Sequence, residues 1–333
     1  MGFFLFIYRA PFFFKECNIP SMAKRAVITG AFSFTGSAVA REMIRRGWSV
    51  HTLTNRTPPT DAKTLTSSPL KFDLQYLKKT IEGADLFINT YWVRLPWKNI
   101  GFQTAIDSTR LLVKAVQEAK VPRLVHVSVS NAEKGANLGY YRGKFELETL
   151  IAGCGISYAI VCPTLILGPN DVLANNIAWF LRYFPVFPVP QGGRYRLQPI
   201  TLSDTARIIA DAAESAENIK VDAAGPEIFT FYDYLLVLAR NCGVNPALVS
   251  APNWVALAGL RMVEPFLGDI VLTREELLSL KQELLISNHS PLGKESVIEW
   301  LEGNAAQLGR KYANDLKRHF GSDSTKPIIS SNK

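Results

Sequence analysis

Residues 26–36 read Ala-Val-Ile-Thr-Gly-Ala-Phe-Ser-Phe-Thr-Gly. A short apolar run (Ala26, Val27, Ile28) ends in Thr29-Gly30, and Gly36 follows at the far side of the turn. An amphipathic segment through Val39, Met43 and Ile44 comes next. Strand, tight turn and helix in that order bring the free N–H groups of a helix start up to an anion such as a pyrophosphate. Phe32, Ser33, Phe34 and Thr35 form the body of the turn. A dinucleotide-binding turn carries three glycines, and here Ser33 holds the middle place. Serine still lets the backbone approach a phosphate, and its hydroxyl can donate to one.

Working outward, short apolar runs alternate with helical patterns from Met22 to about Val161. The strands expected are Ala26–Thr29, Ser49–Thr54, Leu70–Phe72, Asp85–Asn89, Leu124–Ser128 and Tyr158–Val161. Between them Ile106, Leu111, Val113 and Val116 recur at helical spacing within Thr104–Ala119. This alternation predicts an α/β fold, a doubly wound parallel sheet of Rossmann type with helices on both faces. Ligands of such sheets sit at the carboxyl ends of the strands, near the point where the strand order reverses.

Beyond Leu165 the prolines and the pair Gly192-Gly193 predict shorter elements and more loop. Helices are expected over Thr201–Glu214, Tyr232–Asn241 and much of Arg274–Leu285. Trp254–Leu272 reads as a buried or amphipathic helix, because Arg261, Glu264, Pro265 and Asp269 interrupt it. The organisation expected is an apolar extension at 1–21, a nucleotide-binding domain at 22–165 and a smaller C-terminal substrate-binding region at 166–320, partly returning to the sheet. A polar tail occupies 321–333.

Composition narrows the function. The 333 residues carry a net charge of +8 with 47% hydrophobic and 20% charged content, which is ordinary for a globular chain. No Lys/Arg block or basic-aromatic repeat points to nucleic acid, so the charge suits anionic ligands or a membrane surface. Cys17, Cys154, Cys162 and Cys242 are scattered with no metal-ligand spacing, and a reduced, metal-free protein is expected. Residues 1–21 are rich in phenylalanine, but Arg9 and Pro11 break the run short of a bilayer span. They are either an over-extended start upstream of Met22 or a segment that docks on a membrane. A cytoplasmic location is expected, with peripheral membrane association and oligomer formation left open.

Four segments together resemble the short-chain dehydrogenase/reductase superfamily. They are the glycine turn, HVSVS at His126–Ser130, YYRGK at Tyr140–Lys144 and CPTLILGPND at Cys162–Asp171. The resemblance runs from Met22 to about Arg318 and is to the extended and atypical branches. Those include epimerase/dehydratases, NmrA-like regulators and the NAD(P)-binding accessory subunit of respiratory complex I. It implies an NAD(P)-dependent oxidoreductase or epimerase-like enzyme, or else a non-catalytic NAD(P)H-binding redox-sensing or complex-accessory module.

Tyr140 and Lys144 lie one helical turn apart and can share a face. The resemblance makes Tyr140 the general acid/base and Lys144 the ribose-binding partner that favours its phenolate. Ser128, or its rival Ser130, would steady the reacting oxygen. After the second strand, Thr54-Asn55-Arg56 offers no carboxylate for a ribose 2′-OH. Arg56 either pairs with a 2′-phosphate or is a solvated surface arginine, which favours NADP while leaving NAD open. Asp73-Leu74 look like the family's adenine contact, and Asn89, Thr90 and Tyr91 would line the pyrophosphate and ribose. Pro163 and Thr164 look like the segment passing the nicotinamide. Trp92, Arg94, Asn176 and Arg196 stand where a small substrate, anionic or apolar, would be held; the aromatics among their neighbours could equally be core.

Overall fold

The computed structural model of the chain describes residues 23–58 and 65–320. The apolar extension at 1–21, its membrane-docking reading and the polar tail at 321–333 lie outside the described residues. Seven strands make one all-parallel sheet: β1 (Arg25–Thr29), β2 (Ser49–Leu53), β3 (Thr66–Ser68), β4 (Leu86–Asn89), β5 (Arg123–Val127), β6 (Ser157–Pro163) and β7 (Ile219–Ala223). Their order across the sheet is β7-β6-β5-β4-β1-β2-β3, so the direction of winding reverses between β1 and β4. The six helices that follow these strands are α1 (Phe34–Arg45), α2 (Leu74–Ile81), α3 (Phe102–Glu118), α4 (Gly139–Ala152), α5 (Val172–Tyr183) and α6 (Leu202–Glu214).

Alternation along each strand explains the two layers. Side chains at i and i+2 share a face of the sheet. Ala26, Ile28, Leu86, Ile88 and Val125 therefore meet Val39 and Met43 of α1 and Ile209 of α6 in one core. Val27, Phe87, Leu124 and Ile160 point the other way, onto Leu77, Leu112, Val116 and Ile151 of α2, α3 and α4. With both faces covered, the central strands β1 and β4 are buried along nearly their whole length rather than alternating with exposed residues.

The third strand departs from expectation. Leu70–Phe72 is not a strand; Thr66–Ser68 pairs with His51–Leu53 instead. The Asn55 side-chain amide takes both the Leu70 N–H (2.9 Å) and the Leu70 C=O (3.0 Å), replacing the ladder there.

The second half builds a core of its own from α5, α7 (Phe231–Cys242) and residues near α10, including Leu181, Leu197, Tyr234, Leu238 and Leu301. The remaining helices are α8 (Asn253–Leu267), α9 (Arg274–Lys281), α10 (Val297–Asn304) and α11 (Asp315–Phe320). The α9 helix covers most of the expected Arg274–Leu285 and ends at Lys281, with Glu283 at a positive φ of 53°. In α8 only Ala256 is buried, and Trp254, Met262 and Phe266 are exposed. No helix among the described residues is long and apolar enough to cross a membrane.

Candidate functional site

The glycine turn closes over the end of β1. Gly30 has φ +70°, a left-handed conformation that favours glycine, and its carbonyl accepts the Ser33 N–H at 2.8 Å. A Cβ on Gly36 would lie 2.1 Å from the Gly30 oxygen, so α1 can rest on the turn only through a glycine. Ser33 is the N-cap: its Oγ accepts the Gly36 N–H at 3.2 Å. Phe34 and Thr35 are the first two helical residues, whose N–H groups have no carbonyl within the helix.

Beneath the turn, a buried polar network ties together the ends of β1, β4 and β5. Thr29 Oγ1 donates to Asn89 Oδ1 (3.0 Å), and Asn89 Nδ2 lies 3.1 Å from His126 Nδ1. Thr90 Oγ1 donates to the Thr29 carbonyl at 2.6 Å. Burial, and then the nearby Lys144, hold the His126 imidazole well below its ordinary range, so it is neutral.

Above the turn lies a cavity of about 980 Å³. Ser33, Phe34 and Arg41 of the turn and α1 line it together with Arg56, Arg94 and Tyr140. Neither Arg41 nor Arg56 has a carboxylate within ion-pairing distance among the described residues. Arg94, by contrast, is paired twice, with Glu276 and Asp315, each at 2.8 Å. Arg41 and Arg56 thus bring positive charge to the cavity without an ion pair, whereas the charge of Arg94 is balanced by two carboxylates. A glycine cradle, a free helix start and unpaired guanidiniums form a donor set that fits a phosphorylated dinucleotide.

The expected proton relay is arranged differently. Tyr140 lines the cavity, edge-on to Trp92 (5.7 Å between ring centroids) and to Phe102 (6.0 Å). Burial, with Tyr141 and Glu276 nearby, pushes its hydroxyl above the ordinary phenol range. Lys144 is 3% exposed and does not line the cavity. Its Nζ donates to the Val127 carbonyl (2.8 Å) and stands 4.6 Å from the centre of the Trp92 ring. Burial brings its ammonium down to about 7. Ser128 is likewise turned away, its Oγ donating to Glu148 Oε1 at 2.5 Å. That carboxylate, buried on α4, also accepts from Lys220 at 2.7 Å and from the Cys162 thiol at 3.6 Å. The rival, Ser130, donates to the Leu284 carbonyl at 2.7 Å.

Of the other residues expected to contact a ligand, the structure brings Phe32, Ser33, Phe34, Arg56, Arg94 and Thr164 to the cavity wall. Several others serve the scaffold. Asn89 sits in the buried network, and Asn55 clamps Leu70. Asp73 caps α2 by accepting the Tyr76 N–H (2.8 Å), with Leu74 opening the helix. Tyr91 packs on Phe72, and Pro163 ends β6 with its carbonyl accepting the Ser130 N–H. Asn176, Arg196 and Trp92, expected on the substrate side, do not line this cavity. Asn176 is buried and holds the Ala313 backbone through both amide atoms (2.8 and 2.9 Å). Arg196 is exposed and pairs with Glu283 at 2.7 Å. The Trp92 indole is packed between Phe102, Tyr140 and Lys144.

Arg41, Asp171, Glu276, Asp315, Arg318 and His319 also line the cavity and were not singled out from the sequence as ligand contacts. A signal existed for Arg41, which follows Ser33 and Ser37 at four-residue spacing on one face of α1. The others reach the cavity by tertiary packing.

Comparison with known proteins agrees with this architecture. The chain is 23% identical over 198 residues to the subunit 9 of the NADH dehydrogenase [ubiquinone] 1 alpha subcomplex from Arabidopsis thaliana, covering 57% of this chain and 49% of that protein. It spans about half the length of that relative and of the mouse counterpart. Photosystem II assembly factor Ycf39 of Cyanidium caldarium is 22% identical over 302 residues, covering 88% of this chain and 93% of that one. Among solved structures, an Escherichia coli NADPH-dependent quinone oxidoreductase complexed with NADPH superposes with a TM-score of 0.68 at 16% identity, covering 84% of this chain and 99% of that chain. A Staphylococcus aureus nucleoside-diphosphate-sugar epimerase gives 0.65 at 15% identity, with the same coverage. The model of the NmrA-like family matches residues 22–221, from just ahead of β1 into β7. That match takes in the glycine turn and all but the end of the last strand of the parallel sheet, and the chain belongs to the NmrA-like family, among the atypical members of the short-chain dehydrogenase/reductase superfamily.

Proposed function

We propose that the chain is an NADP(H)-binding module that holds the dinucleotide as a resident or reporting ligand within a larger assembly. The observation that carries the choice of NADP(H) is that Arg41 of α1 and Arg56 beyond the second strand both line the cavity with no ion-pair partner among the described residues. A ribose 2′-phosphate supplies the charge they lack. Phe34 and Thr35, at the start of α1, offer their N–H groups to the pyrophosphate. Gly30 and Gly36 keep the backbone close enough for that contact. When bound, a nicotinamide dinucleotide supplies hydride-transfer chemistry.

Three features favour holding over turnover. The Ser128 hydroxyl is committed to Glu148, Lys144 is committed to a backbone carbonyl, and Trp92 packs against both Tyr140 and Lys144. The kinship with a complex I subunit and a photosystem assembly factor supports the same reading. The second reading, an NADP-dependent oxidoreductase or epimerase acting on a small substrate, is favoured by one observation. Tyr140 lines the cavity near Arg94, where it can hand a proton to a bound oxygen.

Fluorescence titration with NADPH and NADH tests the binding reading, with NADPH expected to bind at least ~10-fold more tightly. Equal affinities would remove the argument from Arg56. Tyr140→Phe then separates the two roles. On the module reading it leaves NADPH affinity unchanged, and neither protein consumes NADPH with quinones, aldehydes or sugar nucleotides. Turnover by the wild type that Tyr140→Phe abolishes would establish the enzyme.

A further inference from the structure

The wall of the cavity nearest Arg56 comes from the far end of the chain. Asp315, Arg318 and His319 of α11 all line it. The helix is fixed at both ends. At its start, the N–H groups of Asp315 and Leu316 donate to the two carboxylate oxygens of Asp269, at 2.9 and 3.0 Å. The Asp315 side chain, 4% exposed, accepts from Arg94. At its end, His319 Nε2 lies 3.3 Å from Asp315 Oδ1, and its Nδ1 lies 3.4 Å from the Arg56 guanidinium. A guanidinium can only donate, so Nδ1 accepts and Nε2 carries the proton toward Asp315.

Arg318 completes the arrangement. Its guanidinium donates to the Asn170 carbonyl at 2.6 Å and has no carboxylate partner among the described residues. Arg41 of α1, Arg56 of the loop after β2 and Arg318 of α11 thus face one cavity from three elements. Burial, and then the charge of Arg318, push the Arg56 guanidinium below its ordinary range, and Asp315 offsets this only in part, so the two cations oppose each other. An anion with more than one negative charge, placed between them, relieves that opposition.

We propose that α11 is a cofactor clamp: Arg318, with Arg41 and Arg56, completes a site for the 2′-phosphate at the adenosine end of the dinucleotide, and His319 holds the Arg56 guanidinium in place for it. The clamp rests on the NADP(H) reading and adds to it a determinant from a helix outside the matched family region. The 2′-phosphate is the group that distinguishes NADPH from NADH, so α11 sets specificity while the glycine turn sets affinity for both.

The test uses the full chain and two pairs of probes, NADPH against NADH and 2′,5′-ADP against 5′-AMP. Arg318→Ala is expected to weaken NADPH and 2′,5′-ADP by ~10- to 100-fold, the worth of one or two charge-assisted hydrogen bonds, and NADH and 5′-AMP by less than ~3-fold. Arg318→Lys is expected to recover part of the loss, and thermal melting checks that each variant is folded. NADPH is also expected to slow tryptic cleavage at Lys317 and Arg318. Equal weakening of both pairs would make α11 mere packing and overturn the clamp. An unchanged NADPH affinity in Arg318→Ala overturns it too, while leaving the dinucleotide reading intact. Failure of the wild type to bind NADPH or 2′,5′-ADP removes that underlying reading and the clamp with it.

Discussion

Replacing Arg94 with methionine tests whether the ion pairs at the cavity anchor α11. Arg94 is about a quarter exposed and bridges Glu276 of α9 and Asp315 of α11, each at 2.8 Å. Burial alone would raise the Asp315 carboxyl, but His319 and Arg94 outweigh it and bring it down to about 2. A displacement of nearly two pH units from the ordinary aspartate value corresponds to about 2.5 kcal/mol of net stabilisation of the charged form. Removing Arg94 forfeits much of that and leaves a buried carboxylate with His319 as its remaining partner. Breaking one side of a buried pair costs about 3–5 kcal/mol, less where a partner is partly solvated. For Arg94→Met the expected loss is therefore about 2–4 kcal/mol, read as a lower urea midpoint. The double variant Arg94→Met/Asp315→Asn should recover part of it, because the stranded charge is gone. The pH dependence carries its own signature. An acid whose folded pKa is lowered adds stability above its unfolded value and loses it as pH falls from about 4 to about 2. That acid-side loss should shrink in Arg94→Met. An urea midpoint within about 0.5 kcal/mol of wild type, with the α11 segment equally protected from trypsin, would refute the anchoring argument.

Three further substitutions read other parts of the site. Gly36→Ala places a Cβ 2.1 Å from the Gly30 oxygen, so it should cost about 2 kcal/mol or more in urea unfolding and abolish NADPH binding by forcing the turn away from α1; normal stability with intact binding would contradict the packing described. Burial pushes the Asp171 carboxyl up to about 6, although it caps α5 by accepting two backbone N–H groups. An acid with a raised folded pKa loses stability as pH rises from about 4 to about 6. Asp171→Asn keeps an acceptor at the cap, so it should melt higher than wild type at pH 7 and converge with it near pH 4. Lys144, brought down to about 7 by burial, behaves in the opposite sense to an ordinary lysine. Between pH 7 and about 10 the unfolded chain holds the extra proton, so stability rises with pH by at most about 1.4 kcal/mol per unit. The wild-type melting temperature minus that of Lys144→Met should therefore increase over this range, and a flat difference would mean that Lys144 is charged and solvated.

The sheet was legible because local pattern and global fold agree there. Ala26, Val27 and Ile28 must be apolar on both faces of a buried parallel strand, and the turn that follows needs its glycines at Gly30 and Gly36 for separate geometric reasons. Failures came where a side chain substituted for backbone pairing. The Leu70 run is apolar and strand-like, yet the Asn55 amide occupies its hydrogen-bonding groups, and the third strand moves to Thr66–Ser68. Asn176 and Arg196 stand where the resemblance to extended family members puts substrate contacts. Their partners within the chain, the Ala313 backbone and Glu283, are separated from them by 137 and 87 positions. No local pattern encodes such a pairing, and the same holds for the α11 residues at the cavity.

Spacing and chemistry part company at the Tyr140–Lys144 pair. The four-residue interval does put both residues on the side of α4 that meets Trp92, as one helical turn requires. It does not say which partner each side chain finds across that face. Lys144 meets a strand-end carbonyl, and the next turn of the same helix brings Glu148 under Ser128. Once Glu148 is buried it must be satisfied, because an unpaired carboxylate there would cost more than the fold can spare. Ser128, Lys220 and Cys162 meet that need, and Ser128 is thereby withdrawn from any reacting oxygen. Glu148→Gln weakens the hold on Ser128 and Lys220 while keeping the shape of the side chain. If the module reading is right, that variant loses stability yet still shows no NADPH consumption. Activity that emerges in Glu148→Gln would mean that the scaffold's own hydrogen-bond demand had been holding a competent serine out of the site.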